Sequence, residues 1–192
     1  MNIQNILSVC AFALFVIIVL IRAAVMRGKG IRTLVFGQTN KRDFLLLLLV
    51  LTIVYAVIAR TFGLPISDEA IQPFWTTEIP GWFGLALCAA AITGFVLTLV
   101  SFGDSFRVGI DTNMPGELIT TGMFAVSRNP IYVCFLLFFT GMFLIHRNAV
   151  IVVAIVLFAM VIHRQVLREE AFLKEHYGTE YETYRKKVKR YL

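Results

Sequence analysis

Charge is scarce in this 192-residue chain, and its distribution excludes more than its amount. Asp, Glu, Lys and Arg make up 16% of the residues against 58% apolar ones, where a soluble domain holds about a quarter charged residues. Inside the apolar runs there is no Asp, Glu or Lys. The nearest exceptions, Arg22, Arg60 and His163, stand near run ends, where a long side chain reaches the interface. Ion-coupled carriers line their pathway with ionisable groups, so that class is disfavoured. Cysteine is sparse as well: Cys10, Cys88 and Cys134 lie far apart in apolar surroundings without CxxC spacing, which indicates neither a disulfide framework nor a zinc site. His146, His163 and His176 show no ligand spacing with an acid or thiol, so no metal is expected. The first residues, MNIQN, lack a positive charge, and the apolar run after them is long for a leader, so a cleaved signal peptide is not expected.

What the chain does have is apolar length. Five segments read as membrane helices, at residues 3–25, 44–62, 82–100, 131–145 and 149–162, the last continuing as a helix into a charged tail. The first three have the length that about 30 Å of hydrocarbon demands. The last two are shorter and separated only by His146, Arg147 and Asn148, so they form a tight hairpin or do not both span. The loop at residues 26–43 carries Arg27, Lys29, Arg32, Lys41 and Arg42 against one acid, Asp43. The loop at 63–81 has no Lys or Arg and carries Asp68, Glu69 and Glu78. Eight basic residues follow His163. The positive-inside rule then places the N-terminus outside, and the first loop, the third loop and the C-terminus in the cytosol. The net charge of +6 is read as attraction to anionic lipid rather than to nucleic acid.

Polar residues gather in the third loop and in the tail. Ser127-Arg128-Asn129-Pro130 ends that loop, with Pro130 at the first position of a helix, where its missing N–H costs nothing. The free amides of such a first turn, together with the helix dipole, favour an anion such as a carboxylate. Beyond the last membrane segment comes Arg168-Glu169-Glu170, which alone reads as a solvated charge run. Gly178 should break the tail helix ahead of a short helical stretch carrying Tyr181 and Tyr184 at i, i+3 spacing.

Taken in order, these features resemble a known family. Leu118-Ile119-Thr120-Thr121-Gly122-Met123-Phe124, Arg128-Asn129-Pro130-Ile131-Tyr132, a hydrophobic hairpin, Arg168-Glu169-Glu170 and Tyr177-Gly178-x-x-Tyr181-x-x-Tyr184 follow one another. The series is similar to the isoprenylcysteine carboxyl methyltransferase and phospholipid methyltransferase superfamily over residues 103–192. The resemblance implies an S-adenosylmethionine pocket formed by Glu117, Leu118, Ile119, Phe124, Asn129, Pro130, Ile131, Tyr132, Glu169 and Glu170. In that pocket an acid accepts from the amine or ribose, and Phe124 and Tyr132 pack on adenine or the sulfonium. The chain departs from the family's pattern at Asn129, where His is common, at Phe124, where Tyr is common, and at Cys134, where Gly is common. It also has Gln165 where the prenylcysteine enzymes carry an Arg assigned to the substrate carboxylate. Arg164, Gln165 and Arg168 are therefore the substrate-orienting candidates, and no catalytic residue is assigned.

The reading is an all-α integral membrane protein in two parts. Residues 1–100 hold three transmembrane helices, and residues 101–192 hold the cofactor half, comprising the loop, the hairpin and the tail helix. Its expected partners are membrane lipids and a hydrophobic small-molecule or lipid substrate reached from the bilayer, with neither nucleic acid nor metal. A lipid headgroup amine and a small thiol are alternative acceptors, and a membrane interaction protein with a vestigial site is the non-enzymatic rival. Reporter fusions after Gly37 and at the C-terminus should both report cytosol. A C-terminus on the far side of the membrane would sink the orientation and the access to a cytosolic cofactor with it.

Overall fold

A computed structural model of the chain describes residues 2–29, 43–103 and 117–192. Arg32, Lys41 and Arg42, used for orientation, and residues 104–116 of the third loop lie outside the described residues. Among the described residues all regular structure is helical: α1 (Ile3–Gly28), α2 (Asp43–Phe62), α3 (Asp68–Ile71), α4 (Ile79–Phe102), α5 (Pro130–His146) and α6 (Ala149–Lys187), with a 3-10 turn at Gly122–Ala125. Helices α1, α2, α4 and α6 are long and apolar enough to cross a membrane. Helix α5 has 17 residues, about 25 Å at 1.5 Å per residue, a little short of the hydrocarbon thickness. The chain is an integral membrane protein with an all-α fold. Short α3, inside the Lys- and Arg-free loop, was not foreseen, because four residues are too few for a periodic pattern to show.

The apolar runs become helices because nothing inside them competes with the backbone ladder, and each end has its own stop. Asn2 caps α1, its side chain accepting from the Gln4 amide at 2.9 Å. Pro130 opens α5, as its place after Asn129 predicts. The hairpin is tight: Arg147 takes a left-handed conformation (φ 46) and donates its amide to the Phe143 carbonyl. Asn148 then caps α6 by accepting from the Ile151 amide at 3.1 Å. Gly178 (φ 52) interrupts α6, the break its position in the tail predicts, since a side chain there would be strained.

Helix α5 is held most extensively by α4, and α6 by α2, while α1 packs on α2, α4 and α5. The α4–α5 crossing depends on small residues. A Cβ on Gly84 would meet the Gly141 carbonyl oxygen at 2.5 Å, and one on Gly141 would meet Cys88 Sγ at 2.6 Å, so the backbones can approach only because both are glycine. Stacked phenylalanines fill the middle: Phe15 lies 4.7 Å from Phe95 and from Phe138, and Phe139 meets Phe158 edge-on at 4.9 Å.

The two ends of the bundle are built differently. At the hairpin end, buried His146 Nε2 lies 2.8 Å from Ser8 Oγ. Ser8 has one proton and donates it to the Asn5 carbonyl at 2.7 Å, so His146 must donate its Nε2–H to Ser8. This bond ties α1 to the hairpin. At the opposite end, Arg22 of α1 donates to the Gly103 carbonyl just beyond α4. That end gathers the start of α5, the charged half of α6 and the residues the sequence singles out.

Candidate active site

One stripe of α6 leads to the site. Ile151, Ala154, Phe158, Ile162, Val166 and Glu170 are its buried positions up to the break, spaced three or four apart as one face of a helix requires. Glu170 therefore occupies a core position, whereas Glu169 lies about 100° around the helix. The two adjacent acids face different neighbours.

Glu170 is enclosed, its side chain 9% exposed. Its Oε1 takes Arg128 Nη2 at 3.2 Å and the Asn129 side-chain amide at 3.3 Å. Its Oε2 takes Arg190 Nη2 at 2.9 Å and Nε at 3.1 Å. Arg128, with a side chain 7% exposed, also donates to the Tyr181 hydroxyl at 3.4 Å. A carboxylate surrounded by donors in this way is tolerable in a low-dielectric interior, where an unpaired one is not. The bond from Arg190 to Glu170 raises that guanidinium above its ordinary value, so it remains charged.

Glu169 is only partly buried. Its Oε1 accepts from the Tyr132 hydroxyl at 2.7 Å, across from the first turn of α5, and from Gln165 Nε2 at 2.9 Å, one turn earlier on α6. Gln165 in turn accepts from Arg168 Nη2 at 2.7 Å. The chain Arg168–Gln165–Glu169–Tyr132 thus spans the gap between the two helices. Gln165 is committed within it, and Arg164 is exposed.

The other residues marked by the sequence lie in the stretch from Glu117 to the start of α5. Pro130 is buried at the start of α5, and Ile131 is half-buried. Asn129 precedes Pro130, but its side chain does not cap α5; it goes to Glu170 and to the Arg190 carbonyl at 3.1 Å. Phe124 is buried, its ring edge-on to Phe102 at 4.7 Å and its carbonyl accepting from Tyr184 at 2.7 Å. Leu118 and Ile119 are half-buried, and Glu117 is exposed. The turn that leads to Phe124 depends on Gly122 (φ 60), where a Cβ would come within 2.3 Å of Ser101 Oγ. That serine accepts from the Met123 amide at 3.1 Å.

The sequence reading missed Arg190, which sits in a basic run that looks solvated, and the inward turn of Arg128. The i, i+3 tyrosines were the available signal. Both Tyr181 and Tyr184 are buried, so this second helical stretch folds back against the site.

These features define the class, an all-helical membrane protein with its polar residues gathered between two helix ends. The chain belongs to the phospholipid methyltransferase family, whose model matches residues 79–180, and with it to the superfamily of integral membrane methyltransferases. The match covers α4, the turn, the hairpin and α6 past its break. No curated protein matches the chain.

Removing one partner from a buried ion pair costs about 3–5 kcal/mol, so Glu170→Ala should lower the thermal unfolding midpoint far more than Glu169→Ala. Equal midpoints for the two variants in detergent would contradict the assignment of Glu170 as the anchor.

Proposed function

We propose that this protein is an S-adenosylmethionine-dependent methyltransferase acting on an amphipathic substrate that reaches it from the bilayer, and that a lipid headgroup amine is the preferred acceptor. The observation that carries the reading is the Tyr132–Glu169 bond between the start of α5 and α6, in a chain of the phospholipid methyltransferase family. In the proposed orientation, with the N-terminus outside, this end of the bundle faces the cytosol.

The donor set suits the cofactor. Its ammonium and ribose hydroxyls need acceptors, and Glu169 presents a partly exposed carboxylate whose Oε1 is oriented by Tyr132 and Gln165. Its carboxylate needs donors, for which the start of α5 and Arg128 supply positive potential. The Tyr132 ring, half-buried beside Glu169, offers a face for adenine or for a cation. Glu117, Leu118, Ile119, Phe124, Asn129, Pro130 and Ile131 complete the proposed surround, and Glu170 serves it indirectly by anchoring Arg128 and Asn129.

S-adenosylmethionine, when bound, supplies an electrophilic methyl group on a sulfonium. For such a transfer the main contribution a protein makes is alignment, with no covalent intermediate needed. Tyr132 and Gln165 restrain Glu169, and Arg168 restrains Gln165. A carboxylate at that place also selects among acceptors. It attracts an ammonium headgroup and repels an anionic thiolate or carboxylate. Gln165, at the position where prenylcysteine enzymes bear an arginine, offers a neutral amide already engaged by Arg168 and Glu169.

Purified protein should bind S-adenosylmethionine by calorimetry, and Glu169→Gln should weaken binding by about 1.5–3 kcal/mol, the range for a hydrogen bond to a charged group. The control is Lys174→Gln, which removes only an exposed pair with Glu182 and should be neutral. With a lipid amine, an alkyl thiol and a farnesylated cysteine analogue offered side by side, the amine should turn over fastest. Brisk methylation of the farnesylated analogue, lost on Arg164→Ala, would show that an arginine has taken over carboxylate binding and that the amine preference is wrong.

A further inference from the structure

The basic run at residues 185–190 has one member unlike the others. Arg185, Lys186, Lys187 and Lys189 are exposed, as a polybasic membrane-surface segment would be. Arg190 turns inward to Glu170. Its neighbours on the stretch after α6 follow it. The Lys189 carbonyl accepts from the Arg128 amide at 3.0 Å. The Arg190 carbonyl accepts from Ser127 Oγ at 3.4 Å and from the Asn129 side chain at 3.1 Å. The Tyr191 hydroxyl lies 2.9 Å from His163 Nδ1. Lys189 and Arg190 thus grip the three residues that precede Pro130, while Arg190 and Tyr191 grip α6 at two positions seven residues apart, about 10 Å along its axis.

We propose that residues 188–191 act as a strap belonging to the site, and that Arg190 is a positioning residue that fixes the Ser127–Asn129 segment ahead of α5 in the geometry that holds the cofactor. This rests on the methyltransferase reading above. The contacts separate this role from simple stabilisation. Without Arg190, Glu170 keeps Arg128 and Asn129 as donors on Oε1, and Tyr191, the strap residue that packs against the apolar core, is still in place. What is lost is the cross-tie: Oε2 gives up both its bonds to Arg190, and the backbone acceptors of Lys189 and Arg190 are no longer held against Arg128, Ser127 and Asn129. The segment that presents the first turn of α5 is then free to shift, and a binding site displaced even slightly loses affinity because the protein must restore the geometry on binding.

The test uses the full chain in nanodiscs, with S-adenosylhomocysteine as the probe. Arg190→Ala should raise its Kd about tenfold or more and speed amide hydrogen exchange over residues 127–133, while the unfolding midpoint without ligand falls less than in Glu170→Ala, since Glu170 keeps its Oε1 donors. Arg190→Lys keeps a charge at Glu170 but has one donor group in place of the fork, so it should recover part of the affinity. Lys186→Gln should match the wild type. Tyr191→Phe, which removes only the hydroxyl facing His163, should weaken binding to a smaller degree; it keeps the proposal testable if Arg190→Ala fails to fold. A wild type that binds, together with Arg190→Ala and Tyr191→Phe that bind equally well, would overturn the strap alone. So would faster exchange with unchanged affinity, which would leave Arg190 a purely structural residue. A wild type that does not bind the probe at all would overturn the methyltransferase reading and the strap with it.

Discussion

Taking a carboxylate out of water costs several kcal/mol unless donors meet both of its oxygens, and Glu170 is placed on the buried stripe of α6 where that cost must be met. Arg128 and Asn129 come from the segment ahead of α5, and Arg190 from the stretch after α6. None of the three is near Glu170 in sequence. Their convergence therefore requires the hairpin to be closed, the α5 start to be set and the chain beyond Gly178 to have folded back. Tyr184, bonded to the Phe124 carbonyl, and Tyr181, bonded to Arg128, support the same return from its other side. Much of the arrangement at this end of the bundle serves to satisfy one buried charge.

Glu170 is committed to structure, and in the proposed function Glu169 is the acid that meets the cofactor. The pair is adjacent in sequence, but the rotation of about 100° per residue separates a core position from one facing the gap between α5 and α6. Tyr132 and Gln165 orient the Glu169 carboxylate without enclosing it. In the proposed function this is what recognises a cationic group, and it is also why an amine is favoured over an anionic acceptor.

The bundle was legible because hydrocarbon imposes a length and forbids unpaired backbone polar groups. Runs of that length without Asp, Glu or Lys, with Pro130 and Asn148 at helix starts and Gly178 breaking the charged continuation of the last, leave little choice but helices broken where they are broken. The site was legible only in part. The resemblance of the ordered motifs to the family implied that Asn129, Tyr132 and the acid pair belong together, and the structure brings Tyr132 to Glu169 and Asn129 to Glu170. The division of labour between the acids was present in the sequence too, since Ile162, Val166 and Glu170 continue the apolar period, but a charge run after a membrane segment looks solvated by composition. Arg190 could not have been picked out from Lys187 and Lys189 locally. Its inward turn is set by the return of the chain after Gly178, a long-range contact that no local pattern encodes. Gln165 was read as a missing arginine, whereas it is a bridge between Arg168 and Glu169, a role that depends on Tyr132 arriving from another helix.

In the proposed function the cofactor binds in the gap between the start of α5 and α6, with Glu170 setting the shape of that gap while Glu169 faces into it. A lipidic-phase crystal structure grown with S-adenosylhomocysteine tests this most directly. Ligand density is expected against Tyr132 and Glu169, with the Arg128–Glu170–Arg190 cluster unbroken. Ligand density elsewhere, or a Glu170 released from both arginines to contact the ligand, would contradict it.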